Sequence, residues 1–172
     1  MLIRDASTED AAACAAIYAP YVTDTVISFE DEPPSTTEMA RRITDAHAWF
    51  VAEDDGHVAG FAYAHRFAER AAYQWSCETS IYLEPGRRRT GAGRALYETL
   101  FERLRENGFC RAFAGMTLPN EASAGLHRAL GFEPAGVYRR VGWKHGAWRD
   151  VAWVQKDLNA TDGCVSPPAP LT

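Results

Sequence analysis

The segment Ile81-Tyr82-Leu83-Glu84-Pro85-Gly86-Arg87-Arg88-Arg89-Thr90-Gly91-Ala92-Gly93-Arg94 constrains this chain more than any other. A strand-like run stops at a Pro-Gly turn and arginines follow. Two glycines then open a helix whose apolar face is Leu96, Tyr97, Leu100, Phe101 and Leu104. Glycines at such a junction leave the first helical N–H groups uncovered, and the helix dipole favours an anion there. Four arginines between positions 87 and 94, in a chain of net charge −5, form a local positive patch suited to a small polyanion. The same residues also read as a solvated charge run before a softened helix start. Gly-x-Gly alone does not separate the two.

The rest of the chain alternates strand and helix signals unevenly. Leu2-Ile3-Arg4 reads as a strand, and Ser7 with Asp10 as a capping box for a helix bearing Cys14, Ile17, Tyr18 and Tyr21. Pro33-Pro34-Ser35 starts a second helix, running to about His47. Trp49 to Glu53 and Val58 to His65 read as a hairpin turned by Asp54-Asp55-Gly56-His57. A longer strand is predicted from Tyr73 to Leu83. After the glycine-led helix, which ends at Asn107-Gly108, come a strand from Phe109 to Leu118 and a helix capped by Asn120 and closed by Gly131. Strands over 133–141 and 148–156 complete the domain. The pattern predicts an α/β fold with a mixed sheet and helices on both faces.

At 172 residues, 47% hydrophobic and 24% charged, the composition fits one soluble domain. It is read as residues 1–158, with 159–172 as a tail that has lost all periodicity. The acidic balance argues against nucleic acid as a partner. No apolar run reaches the length of a membrane span, and there is no signal-peptide core at the start. Cys14, Cys77, Cys110 and Cys164 form no CxxC pair, so neither a metal site nor a disulfide framework is expected; four unpaired thiols suit the cytoplasm.

Two separated stretches carry a family resemblance. Arg88-Arg89-Thr90-Gly91-Ala92-Gly93 resembles the Gln/Arg-x-x-Gly-x-Gly/Ala motif of the GCN5-related acetyltransferase superfamily. Asn120 to Phe132, an Asn-initiated helix closing on Gly-Phe, resembles its second signature, in the expected order and spacing. The stretches 49–53, 58–64, 70–82 and 142–151 narrow the likeness to the phosphinothricin and methionine sulfoximine acetyltransferase group, over residues 2 to 158. The resemblance implies a V-shaped mixed sheet with acetyl-CoA as co-substrate between two splayed strands. It implies that the backbone of Ile81, Tyr82 and Leu83 holds the acetyl and pantetheine arm. Arg88, Arg89, Thr90, Gly91, Ala92, Gly93 and Arg94 would surround the diphosphate, and Asn120 would meet the pantetheine. A homodimer acting on a small-molecule amine is the corresponding expectation.

Acetyl transfer to an ammonium needs a base to free the nitrogen lone pair and a proton for the departing thiolate. Glu78, a carboxylate in an otherwise apolar strand, is the base candidate; the competing reading pairs it with an arginine or turns it to solvent. His127, one turn before Gly131-Phe132, corresponds to the family's proton donor, and donor and base roles both stay open. His47, His57, His65 and His145 read as structural or exposed. The family match points to Phe29, Arg70 and Tyr73 around the acceptor, with core packing as the plainer reading of the two aromatics. Ala68 stands where the herbicide-resistance enzymes carry lysine. Other amines, a protein N-terminus, or a non-catalytic acyl-CoA sensor are the alternatives, since fold does not settle function.

Overall fold

A computed structural model of the chain describes residues 1–87 and 90–159. Seven strands form one sheet: β1 (Leu2–Asp5), β2 (Ala48–Asp54), β3 (His57–Arg66), β4 (Ser76–Leu83), β5 (Arg111–Thr117), β6 (Glu133–Lys144) and β7 (Ala147–Asp157). Their spatial order is β1-β2-β3-β4-β5-β7-β6, and only the β4–β5 pair is parallel. Four helices cover the faces: α1 (Ala11–Thr23), α2 (Thr36–Asp45), α3 (Ala92–Glu106) and α4 (Glu121–Ala129).

Strand alternation divides the core in two. Phe50, Ala52, Ala62, Ala64 and Cys77 face α3, whose Leu96, Tyr97, Leu100, Phe101 and Leu104 form the buried stripe expected from their spacing. Trp49, Val51 and Phe61 face α1 and α2 through Cys14, Ile17, Tyr18, Met39 and Ile43. The Ser7–Asp10 capping box is present, on a single 3-10 turn that leads into α1. Ser35 caps α2, and the Asn120 side chain caps α4 by accepting from the Ser123 N–H at 3.1 Å. Gly131 closes α4 at φ +81°.

Several boundaries differ from the sequence reading, each for a local reason. The strand expected from Tyr73 begins at Ser76, because Ala71–Tyr73 make a 3-10 turn. The Arg70-Ala71-Ala72 run has helical propensity and no β-branched residue. The last two strands are longer than expected and meet in a tight turn at His145 and Gly146, both at positive φ. β6 passes Val141 by bulging between Tyr138 and Gly142, where the Arg140 N–H donates to Asp150 Oδ1 at 2.7 Å. Contacts continue through Asn159, the first residue of the stretch read as tail, whose Nδ2 donates to the Phe109 carbonyl at 2.9 Å. Residues 160–172 lie outside the described residues. Cys14 and Cys77 are free and buried, and Cys164 lies outside the described residues.

Candidate active site

Pairing between β4 and β5 stops early. Ser76 pairs with Arg111, Cys77 with Ala112 and Glu78 with Phe113, yet β4 continues to Leu83 and β5 to Thr117. β5 stays bonded to β7 along its length, and β4 stays bonded to β3 through Leu83. The two parallel strands therefore diverge beyond Glu78, leaving residues 79–83 without a strand partner on one side. The Thr79 hydroxyl bridges the apex by donating to the Phe113 carbonyl at 3.2 Å. Unpaired backbone groups along such a wedge suit an extended ligand that supplies amides and carbonyls of its own.

At the end of the wedge stands the N-terminus of α3. Gly91 is its N-cap at φ +83°, a conformation side chains rarely adopt; it supplies no capping side chain, and the Ala92 N–H reaches only the Thr90 hydroxyl at a long 3.4 Å. A Cβ built there would meet nothing within 4 Å among the described residues. Gly93 is buried, and its Cα side lies close to Leu126, Ile81 and Leu83, which seats α3 against the end of β4. Open N–H groups at a helix start form an anion site. The expected arginine patch is only partly available. Arg87 is held by Glu84 at 2.9 Å and Asp54 at 3.0 Å, and Arg94 lies 3.2 Å from Glu98. These are exposed pairs, worth little and easily exchanged for a phosphate. Arg88 and Arg89 lie outside the described residues.

Glu78 sits at the apex, half-buried, with Phe113 beside it on β5 and His65 opposite it on β3. Burial pushes its carboxyl above the ordinary carboxylate range, and the nearby His65 partly offsets this. Next to it an aromatic wall has formed: Phe67 stacks on Phe113 at 4.4 Å and meets Tyr73 at 5.6 Å and Trp153 at 6.4 Å. Tyr73 is 42% exposed, so it lines an opening and is not simple core. Arg70 is exposed at the start of the same turn, and among the described residues no ion pair holds it. Phe29, 41% exposed, belongs to a different wall. Its ring covers the backbone of Gly142 on β6, where any Cβ would overlap it. Lys144 fastens that loop by donating to the carbonyls of Val22, Ser28 and Glu30 at 2.7, 2.5 and 3.1 Å.

His127 is more enclosed than the sequence suggested. Its Nδ1 donates to the Ser123 carbonyl at 2.7 Å, which leaves Nε2 to accept from the Tyr97 hydroxyl at 3.1 Å. Burial holds its pKa below the ordinary imidazole value, so the ring is neutral at pH 7. Tyr97 also lies beside Thr79. His127 thus reaches the apex of the wedge through Tyr97, on the face of β4 opposite to Glu78. Sequence reasoning passed over Tyr97, which counted as core, and Phe67, Phe113, Trp153, His65 and Lys144. Only strand register brings these to the site, and no local pattern signals it.

A sheet that splays between two parallel strands ahead of a glycine-opened helix, with a raised carboxylate at the apex, defines an acyl-CoA-dependent acyltransferase class. The model of the acetyltransferase (GNAT) family matches residues 13–132, and the chain belongs to that family. It is an acetyl-CoA-dependent N-acetyltransferase. It is 37% identical to a phosphinothricin N-acetyltransferase of Streptomyces viridochromogenes, over 98% of this chain and 92% of that one. It is 33% identical to an L-methionine sulfoximine/L-methionine sulfone acetyltransferase of Pseudomonas aeruginosa, over 92% and 95% respectively. The crystal structure of a phosphinothricin acetyltransferase from Sinorhizobium meliloti in complex with AcCoA superposes with a TM-score of 0.89 at 38% identity, covering 98% of this chain and 93% of that one. Among the described residues no group of side chains could hold a metal ion, and no helix is long and apolar enough to cross a membrane.

Proposed function

We propose that this enzyme acetylates the α-amine of a small amino-acid analogue of the phosphinothricin, methionine sulfoximine or methionine sulfone type, as a detoxification or resistance activity in the cytoplasm. The observation that carries the reading is the half-buried carboxylate of Glu78 at the splay point, walled by Phe67, Phe113 and Tyr73. Such a pocket fits an aliphatic arm, and Arg70 at its rim suits the oxygens of a carboxylate, phosphinate or sulfone. The named relatives support the same substrate class.

Acetyl-CoA supplies an activated acetyl thioester. The backbone of Ile81, Tyr82 and Leu83 along the wedge would hold its acetyl and pantetheine portion, with Asn120 alongside. The N–H groups from Gly91 to Arg94, together with Arg88, Arg89 and the Thr90 hydroxyl, would hold the diphosphate. Glu78 takes a proton from the substrate ammonium, and its raised pKa makes it a stronger base than an exposed carboxylate. The Tyr97–His127 pair stands on the other face of β4: Tyr97 would donate its proton to the thiolate, neutral His127 holds that hydroxyl through Nε2, and the second proton released by the amine restores the phenol.

The enzyme is proposed to act as a homodimer. Val137, Tyr138, Val141, Trp143 and Trp148 are exposed apolar side chains of the β6–β7 hairpin, which a second copy would cover in part. The reading as a whole is tested by a panel of amines with acetyl-CoA, following CoA release. Turnover on methionine sulfone, methionine sulfoximine or phosphinothricin is expected; turnover restricted to peptides or polyamines would refute the substrate class.

A further inference from the structure

The register that opens the wedge also sets His65 of β3 directly across from Glu78 of β4, with Nε2 4.0 Å from Oε2. The other ring nitrogen, Nδ1, lies 3.0 Å from the Arg66 carbonyl. A carbonyl can only accept, so Nδ1 carries a proton, and in the neutral ring Nε2 turns its lone pair toward Glu78. The imidazole is 42% exposed and the Glu78 side chain 27%, so the pair runs from the pocket toward solvent. This is more than a pair of neighbours on one strand face: the tautomer and the exposure gradient both point outward.

That arrangement meets a requirement of the chemistry. An ammonium becoming an amide loses two protons; one re-forms the thiol of CoA, and the other must reach water. With Glu78 as base, the carboxyl ends each turnover protonated in a half-buried site. We propose that His65 is the outlet for that proton, a relay acting through Glu78 that resets the base between turnovers. The ammonium N–H bond breaks to Glu78, the Glu78 O–H bond breaks to Nε2 of His65, and the imidazolium releases a proton to bulk water. No oxidation or reduction occurs. The 4.0 Å separation closes by a side-chain rotation or one bridging water. The titratable groups around the pair are Tyr63 on β3, which interacts with Glu78, and His47 before β2, which interacts with His65; Arg42 and Glu30 act on Tyr63, and Arg66 on His47. On β5 the neighbour is apolar, Phe113.

The inference rests on Glu78 being the base, and the test separates the two ideas. CoA release with L-methionine sulfone is followed across a pH series, in weak buffer and with added imidazole, for wild type, His65→Gly, His65→Gln, Glu78→Gln and His65→Gly/Glu78→Gln. In both His65 variants kcat should fall by roughly tenfold to a hundredfold, near the low end of acid–base contributions, with KM for both substrates little changed. Imidazole should restore His65→Gly, increasingly as pH rises and the neutral form accumulates, and should do nothing for the double variant. A purely packing role would lower melting temperature and raise KM without rescue, and that result overturns the relay. So does wild-type kcat in either His65 variant at every pH. Full turnover in Glu78→Gln, or none in wild type, removes the reading beneath it.

Discussion

Replacing Glu78 by glutamine separates the cost of the base from its benefit. The side chain keeps its shape and its place opposite His65 but can no longer accept a proton. General base catalysis contributes about 10²–10⁴ in rate, so kcat should drop by that factor, which corresponds to roughly 3–5 kcal/mol of barrier. Stability should move the other way. Burial raises the folded-state pKa of Glu78 above its unfolded value, so the ionised form is penalised in the fold. The protonated form is the one the fold prefers. The resulting stability is complete below the ordinary carboxylate pKa and is lost as pH rises through the raised value. Glutamine, neutral throughout, escapes that loss. The variant should therefore melt higher than wild type at pH 7, with the difference vanishing toward pH 4. Initial rates of CoA release and thermal melts from pH 4 to 8 measure both arms. Near-normal turnover would show that another group deprotonates the amine. A melting difference that shrinks as pH rises would show that the carboxylate is stabilised by a partner and not strained by burial.

Gly91→Val should weaken acetyl-CoA binding sharply while costing about 1–3 kcal/mol of stability, because position 91 sits at φ +83° before the candidate anion site; calorimetric titration of the folded variant decides. Lys144→Met removes three donations to backbone carbonyls and should cost about 1.5–3 kcal/mol in denaturant unfolding, with a raised KM for the amine as the Phe29 loop loosens. Ala68→Lys should raise kcat/KM for anionic phosphinothricin over neutral methionine sulfone by roughly ten- to a hundredfold, the effect of one charge-assisted contact; no change in the ratio would sink the charge argument. Trp143→Glu should convert a dimer to monomer in sedimentation, since that ring is 61% exposed on the β6–β7 hairpin.

Local chemistry made much of the fold legible before any coordinates. The 3.6-residue stripe of α3, the Ser7–Asp10 box, the Asn120 cap and Gly131 at φ +81° each follow from interactions within a few residues. The same holds for the glycine-opened α3 start, whose function depends on one backbone conformation and on the absence of a side chain. Boundaries failed where a tertiary or turn effect won, as at Ala71–Tyr73 and at the Arg140 bulge. The site itself is mostly a product of register. Glu78 stood out in the sequence as an isolated carboxylate, but its paired neighbours come from two other strands, and a one-residue slip would turn each of them to the opposite face. His65 read as a structural or exposed histidine and is the residue across from Glu78. Tyr97 counted as core and is the partner of His127. Lys144 carried no local signal at all, because the three carbonyls it holds are more than a hundred residues away in the chain. Short-range hydrogen bonding and periodicity are written in the order of the residues, whereas the divergence of β4 from β5, and everything gathered at its apex, exists only once the sheet has closed.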